Sequence, residues 1–250
     1  MAQLGLDYPT HWGRGYAARI FREIFHSYIL SPVIRYLSTL TVIGDENIKC
    51  PGPFIFVANH ASHLDTALLL TAMPDPQRRR TVVAAAMDNF FMDSGRAFRT
   101  VLFFNAVPVD RQKVNRRSAQ LLQELVEDGW NLVIFPEGGR TPDGDLQEFK
   151  GGAAFLAQKA NATVIPTYIH EAGKLQGARF AKAPNFKKFD KWRHPVVVSF
   201  GEGIRSEVDE NVRSYSARIE EAVLNIARDV SNDPTIEITR EDDSEGGLPD

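Results

Sequence analysis

Two side chains set the question. His60 and Asp65 stand five positions apart in the run Pro53–Asp65, PFIFVANHASHLD. A histidine is the side chain best able to move a proton near neutral pH. A carboxylate on one ring nitrogen would fix its tautomer and stabilise the imidazolium once the other nitrogen had taken a proton. Five residues is the wrong spacing for one face of a continuous helix, where neighbours lie three or four apart. The pair can therefore meet only if His60 sits in a turn and Asp65 in the first turn of a helix. Ser62-x-x-Asp65 also fits a variant of the capping box, which would give Asp65 to the helix terminus alone.

The elements around the pair suit the first arrangement. Phe54–Ala58 follows Pro51-Gly52-Pro53, is rich in aromatic and branched residues, and is too short for a helix, so it predicts a buried strand. Ser62 reads as an N-cap, and Leu64, Ala67, Leu68 and Leu70 open a helix. A second stretch has the same plan. Asn131–Phe135 reads as a buried strand and runs into Pro136-Glu137-Gly138-Gly139-Arg140. There a carboxylate and a guanidinium lie three residues apart, with two glycines that allow backbone to approach a ligand. A guanidinium in that place suits a phosphate.

NHASHLD followed by FPEGGRT resembles the lysophospholipid acyltransferase family, typified by the 1-acyl-glycerol-3-phosphate acyltransferases. The family's first motif, NHxSxxD, is matched in full. Its third, FPEGTRS, is matched except that Gly139 and Thr141 replace Thr and Ser. Ala106–Val109 with Asp110-Arg111 resembles the second motif, an apolar strand ending in arginine. Val164-Ile165-Pro166 resembles the fourth. Phe149-Lys150-Gly151-Gly152 resembles a lysine–glycine element common in the family.

The resemblance implies acyl transfer from a thioester, on coenzyme A or acyl carrier protein, to the hydroxyl of a lysophospholipid, most simply 1-acyl-glycerol-3-phosphate. His60 would be the base and Asp65 its orienting partner. Arg111 and Arg140 would hold the acceptor phosphate and Glu137 the glycerol hydroxyls. Gly138 and Lys150 complete the substrate site, Lys150 beside helix-start amides that suit an anion. The oxyanion would draw on backbone N–H groups near the first motif. This chemistry requires no cofactor, metal or covalent intermediate. It also implies a peripheral or monotopic place on the cytoplasmic face of a membrane.

The rest of the chain is read for what supports those residues. With 250 residues and 43% hydrophobic content, it suits one globular domain. Cys50 is the single cysteine, so no internal disulfide or cysteine-rich metal cluster forms. The first residues lack the order of a signal peptide. The last twenty hold seven acids against Arg240, a charge of −6 within a chain total of −3, which leaves the body at +3. A mildly basic body suits anionic substrates or lipid head groups, and no nucleic-acid signature is present.

Tyr16–Leu40 has helical apolar spacing at Ile20, Phe21, Ile24, Phe25, Tyr28 and Ile29, with Pro32 breaking or restarting the helix. Arg22, Glu23, His26 and Arg35 leave no uninterrupted apolar window of roughly 18 residues, so it is not a membrane span. It reads as an interfacial helix or as one packed on the sheet, and the resemblance favours the interface.

Alternating strands and helices predict an α/β architecture: one layered domain with a mostly parallel or mixed sheet. The expected divisions are N-terminal amphipathic, membrane-interface helices over 1–44, the acyltransferase domain over 45–230, and a disordered acidic tail over 231–250. Thr163–Ile169 contains a proline and is expected at an edge or bulge. Arg78-Arg79-Arg80 reads as a surface cluster. Asn185–His194 interleaves basic and aromatic residues and could touch a membrane or the donor's nucleotide.

Two other readings are weighed. His60, His63 and Asp65, with His170, His194 and Glu137, could form the site of a metal-dependent hydrolase. A lipid-binding protein without turnover could use the same fold.

Overall fold

A computed structural model of the chain describes residues 5–110, 116–139, 146–170 and 194–233. Seven strands form a single sheet: β1 (Ser38–Ile43), β2 (Phe54–Ala58), β3 (Thr81–Ala86), β4 (Ala106–Val109), β5 (Asn131–Ile134), β6 (Thr163–His170) and β7 (His194–Phe200). Their order across the sheet is β1-β7-β6-β2-β5-β3-β4. Neighbours run parallel except β6 and β7, which are antiparallel. This is the expected mixed, mostly parallel α/β sheet.

β2 shows why its sequence has no polar alternation. Phe54, Phe56 and Ala58 point to one face, into a core with α3 (Asp65–Ala72). Ile55 and Val57 point to the other, against α7 (Arg116–Glu127), α8 (Gly152–Lys159) and α9 (Val212–Asn232). Successive strand side chains alternate, and helices cover both faces, so every position of the strand is buried. α3 is buried almost all round because the N-terminal helices lie on its outer side. It begins at Asp65. Ser62, three residues earlier, closes a local turn in which its hydroxyl accepts the Leu64 N–H at 3.0 Å, so it is not the helix N-cap.

The N-terminal region departs most from expectation. α1 (Tyr16–Phe25), a π-turn over His26–Leu30, and α2 (Ser31–Leu37) are contiguous. Pro32 falls in the first turn of α2, where a missing N–H is tolerated, and the π-turn absorbs the change of register. Leu40 belongs to β1. That strand pairs with β7 from Ser38↔His194 to Ile43↔Ser199, so the sheet begins at residue 38 and the expected boundary at 44/45 falls after its first strand. Val42-Ile43-Gly44 and Asn47-Ile48 together read as a short strand; Val42 and Ile43 do close β1, whereas Asn47-Ile48 lies in a 3-10 turn, Asp45–Ile48. Residues 234–250 of the expected tail lie outside the described residues, and α9 runs on to Asn232.

The helix is also turned the opposite way from an ordinary packed amphipathic helix. Its polar residues Arg22 and His26 face inward, and Tyr16, Ile20, Ile24, Tyr28 and Val33 face outward. The cause lies in α6 (Ser94–Phe104), where Val101 O accepts the N–H of the C-cap Asn105 at 3.0 Å and the carbonyls after it lie past the helix's own ladder. The Arg22 guanidinium donates to Val101 O and Leu102 O, each at 3.3 Å, and to Gly13 O at 2.5 Å. His26 Nε2 meets Phe103 O at 2.8 Å. A cation at a helix C-terminus also complements its dipole.

Burial lowers the His26 pKa to about 4, against the opposing Phe103 hydrogen bond and with help from Arg78 and Arg22. Above pH 6.5 the ring is neutral whether the chain is folded or not. As pH falls towards 4 the unfolded chain binds a proton that the folded one refuses, so stability is lost over that window, by about 3 kcal/mol. Urea unfolding of wild type and His26→Gln at pH 7 and pH 4.5 checks this: the acid-side loss should shrink in the variant.

β6 corrects another expectation. It is an interior strand despite Pro166, whose partner in β2 is Val57. The Pro166 carbonyl accepts the Gly201 N–H at 2.8 Å. The proline nitrogen therefore faces the β7 side, where the antiparallel ladder has already ended at Thr167↔Phe200. Its missing donor goes unneeded.

Candidate active site

β2, β5, β3 and β4 are consecutive in the sheet and parallel, so their C-terminal ends share one edge. Each expected site stretch leaves the sheet there: His60 after β2, Glu137–Gly139 after β5, Asp110 after β4. Loops beyond the carboxyl ends of parallel strands are where such sheets bind ligands. The edge holds a cleft of about 510 Å³. His60, Thr66, Gly138 and Gly139 form its polar rim, and Val83, Phe90, Phe104 and Val109 are among its apolar walls.

The turn–helix arrangement needed for His60 and Asp65 is present. His60 Nδ1 lies 2.8 Å from Asp65 Oδ2, with the histidine side chain 23% exposed and the aspartate 0%. The same carboxylate oxygen accepts the N–H of Ala61 at 2.8 Å and of Ser62 at 2.9 Å. Asp65 thus both organises the turn and holds the ring. The imidazole stacks on Phe135, centroids 4.3 Å apart and planes inclined by 22°. With Nδ1 committed to Asp65, proton exchange with a substrate falls to Nε2.

Glu137 does something the sequence does not show. It is 4% exposed, and its Oε1 accepts the His60 backbone N–H at 2.8 Å. Its Oε2 accepts Gln147 N–H at 3.4 Å. A carboxylate buried under the turn and bound to these amides is placed to position His60.

The amides of His60, Ala61, Ser62 and Leu64 all have partners within the two motifs. An oxyanion would therefore draw its donors from elsewhere than these four.

Gly138 has a left-handed backbone, φ 70°. A Cβ there would strike the Lys150 Nζ. The Lys150 N–H donates to Pro136 O at 3.2 Å, which ties the lysine–glycine element to the end of β5. Lys150 therefore lies against Gly138, beside the cleft that Gly138 lines. Gly138→Ala should strain the turn and displace the ammonium, lowering kcat/KM by about tenfold to hundredfold. Initial rates at subsaturating acceptor measure it.

Arg111 and Arg140 lie outside the described residues. Val109 and Gly139, two residues and one residue before them, line the cleft. Among the described residues, no three His, Cys, Asp or Glu side chains converge as metal ligands. The Asp65 oxygen nearest His60 already accepts three hydrogen bonds, so the geometry does not favour the hydrolase reading.

Three comparisons bear on this arrangement. A family model described as Acyltransferase matches residues 39–170, more than half of the chain. The "Probable 1-acyl-sn-glycerol-3-phosphate acyltransferase" of Mycoplasma genitalium is 23% identical over 204 residues, covering 78% of this chain and 75% of that protein. The 1-acyl-sn-glycerol-3-phosphate acyltransferase alpha of Mus musculus is 28% identical over 215 residues, covering 84% and 71%. A Chlamydomonas reinhardtii 1-acyl-sn-glycerol-3-phosphate acyltransferase is 31% identical over 141 residues, of which the alignment spans 54% of this chain and 40% of the relative. In fold, the chain resembles the crystal structure of the 1-acyl-sn-glycerophosphate (LPA) acyltransferase from Thermotoga maritima, with a TM-score of 0.60 and 22% identity over 85% of this chain and 84% of that one.

Proposed function

The chain belongs to the acyltransferase family, and from that premise we propose that it moves a fatty acyl group from an acyl thioester to the free hydroxyl of 1-acyl-glycerol-3-phosphate, giving phosphatidic acid. The observation that carries the reading is the His60–Asp65 pair on the rim of an apolar-walled cleft. The names of the relatives supply the acceptor.

In this reading His60 Nε2 takes the acceptor's hydroxyl proton as the oxygen attacks the thioester carbonyl. The C–O bond forms, the C–S bond breaks as the tetrahedral intermediate collapses, and the imidazolium returns its proton to the departing thiolate. Asp65 stabilises the imidazolium and Glu137 fixes the backbone beneath it. Lys150, with Arg111 and Arg140 as further candidates, binds the acceptor phosphate, for which a guanidinium is well matched. The apolar wall of Val83, Phe90 and Phe104 takes acyl chain.

The test is thiol release by purified protein in neutral detergent, with long-chain acyl-coenzyme A or acyl carrier protein as donor and lysophosphatidic acid as acceptor. Release that requires acceptor supports the reading and identifies the donor. Release without acceptor makes the protein a thioesterase and overturns it.

The outward apolar stripe supports a second element, a seat at a membrane surface. Tyr16 is 81% and Tyr28 77% exposed, with Ile20, Ile24 and Val33 beside them on the helix. A contiguous exposed apolar row on one helix marks an interaction surface. No helix among the described residues is long and apolar enough to cross a membrane. Removing residues 1–40 would also remove part of β1, so substitution is the cleaner test. Ile24→Glu with Tyr28→Glu and Val33→Glu should reduce co-sedimentation with vesicles at least tenfold, while turnover in detergent stays near wild type. Unchanged sedimentation counts against the seat.

A further inference from the structure

A second cleft, of about 230 Å³, opens between α1 and α4 (Asp75–Arg79) and shares no lining residue with the active-site cleft. Arg19, Arg22, Arg78 and Arg79 line it with Tyr16, and Glu23 is its one carboxylate. Glu23 Oε1 is shared by Arg78 at 3.1 Å and Arg79 at 3.0 Å. Arg22 is occupied by the α6 carbonyls. Arg19 makes no ion pair among the described residues. Asp75, outside the lining, also pairs with Arg78 at 2.6 Å and Arg79 at 3.2 Å, so four guanidinium groups share two carboxylates, in a hollow that opens beside the exposed apolar row.

The local field is uneven across the cleft: Glu23 and Asp75 raise the pKa of Arg79, while Arg22 is pressed the other way. Arg22 is brought down to about 10, first by burial and then by the like charges of Arg14 and Arg19. Arg78 and Arg22 likewise oppose protonation of His26. Cations that disfavour one another's charge are stabilised by an anion among them. Planar, multiply donating guanidinium groups select phosphate oxygens over a simple counter-ion.

We propose that the cleft between α1 and α4 binds the phosphate of an anionic phospholipid head group, at a site apart from the one where acyl transfer takes place. The source of the phosphate rests on the membrane seat proposed above. The apolar row at Tyr16, Ile20 and Ile24 lies against acyl chains, and a cleft on the flank of the same helix then sits at head-group depth. The site also bears on the catalytic cleft. Arg22 and His26 hold the carbonyl end of α6, and Phe104 in that last turn lines the catalytic wall.

The experiment uses the full chain, vesicles of phosphatidylcholine alone or with phosphatidylglycerol, and glycerol 1-phosphate as a lipid-free probe. Two double variants are compared. Arg19→Gln with Arg79→Gln removes charge from the cleft. Arg35→Gln with Arg99→Gln removes two exposed arginines that do not line it. Wild type should bind phosphatidylglycerol vesicles more tightly than neutral ones. The cleft pair should lose roughly twenty-five-fold of that preference, at about fivefold per arginine, and the control pair less than fivefold. Glycerol 1-phosphate should raise the melting temperature of wild type and of the control pair more than that of the cleft pair, whose remaining rise comes from binding at the active site.

Equal losses in the two pairs would mean a diffuse surface charge and overturn the site, leaving the membrane seat intact. Wild type indifferent to every vesicle would sink the seat instead. The site would then be judged by glycerol 1-phosphate alone: stabilisation that depends on Arg19 and Arg79 supports it, and none overturns it.

Discussion

His60→Gln should lower kcat by about three orders of magnitude while the fold survives. Glutamine has nearly the bulk of histidine and can still donate to Asp65 across the 2.8 Å contact. It can also lie on the Phe135 ring. It cannot accept and return a proton near neutral pH, and a positioned base contributes about 10²- to 10⁴-fold. The side chain is part-exposed at the cleft rim, so little packing is lost. Turnover in the thiol-release assay and a thermal melt on the same preparation decide the matter. A variant that melts like wild type and turns over within tenfold of it would falsify the assignment of His60 as base.

Asp65→Asn should cost turnover to a similar degree, about 10²- to 10⁴-fold, and stability as well. One oxygen of this carboxylate receives the His60 ring and the N–H groups of Ala61 and Ser62. The other, Oδ1, is buried with no hydrogen-bond partner among the described residues. In an asparagine whose oxygen keeps the three donors, the amide nitrogen falls where Oδ1 was, and two N–H groups are buried against no acceptor. That costs about 1–3 kcal/mol, or about 2–12 °C of melting temperature in a chain of this size. The charge that stabilises the imidazolium is gone as well. If the two residues act as one unit, the double variant His60→Gln/Asp65→Asn should be no slower than the worse single variant. Losses that multiply would show that Asp65 serves the helix alone.

The sequence exposed the site where local pattern and chemistry coincide. Phe54–Ala58 is legible because a parallel strand covered on both faces must be apolar throughout, and the two motifs then fall at strand ends. β1 is legible only at its end, Val42-Ile43, since Thr39 and Thr41 interrupt it and half of it faces solvent at the sheet's edge. Pro166 misled because its effect depends on where β7 stops, which no local window contains. The turn of the N-terminal helix was unreadable for a similar reason. Periodicity finds two faces but not which one is buried, and the deciding contacts of Arg22 lie 79 and 80 residues away. Glu137 was seen as a carboxylate near a ligand. Its buried bond to the His60 amide spans 77 residues and has no local signature.

The pairing of β1 with β7 has a consequence for the order in which the protein is made. Ser38 waits for His194, 156 residues further on. At a synthesis rate of about 5–20 residues per second, that wait is roughly 8–30 s. Throughout it the first strand has no neighbour, and the helix before it has already left the ribosome with its aromatic and branched row uncovered. On the membrane seat proposed above, a bilayer within reach would have that long to capture the nascent chain, and the sheet's last ladder would then close on a molecule already held there.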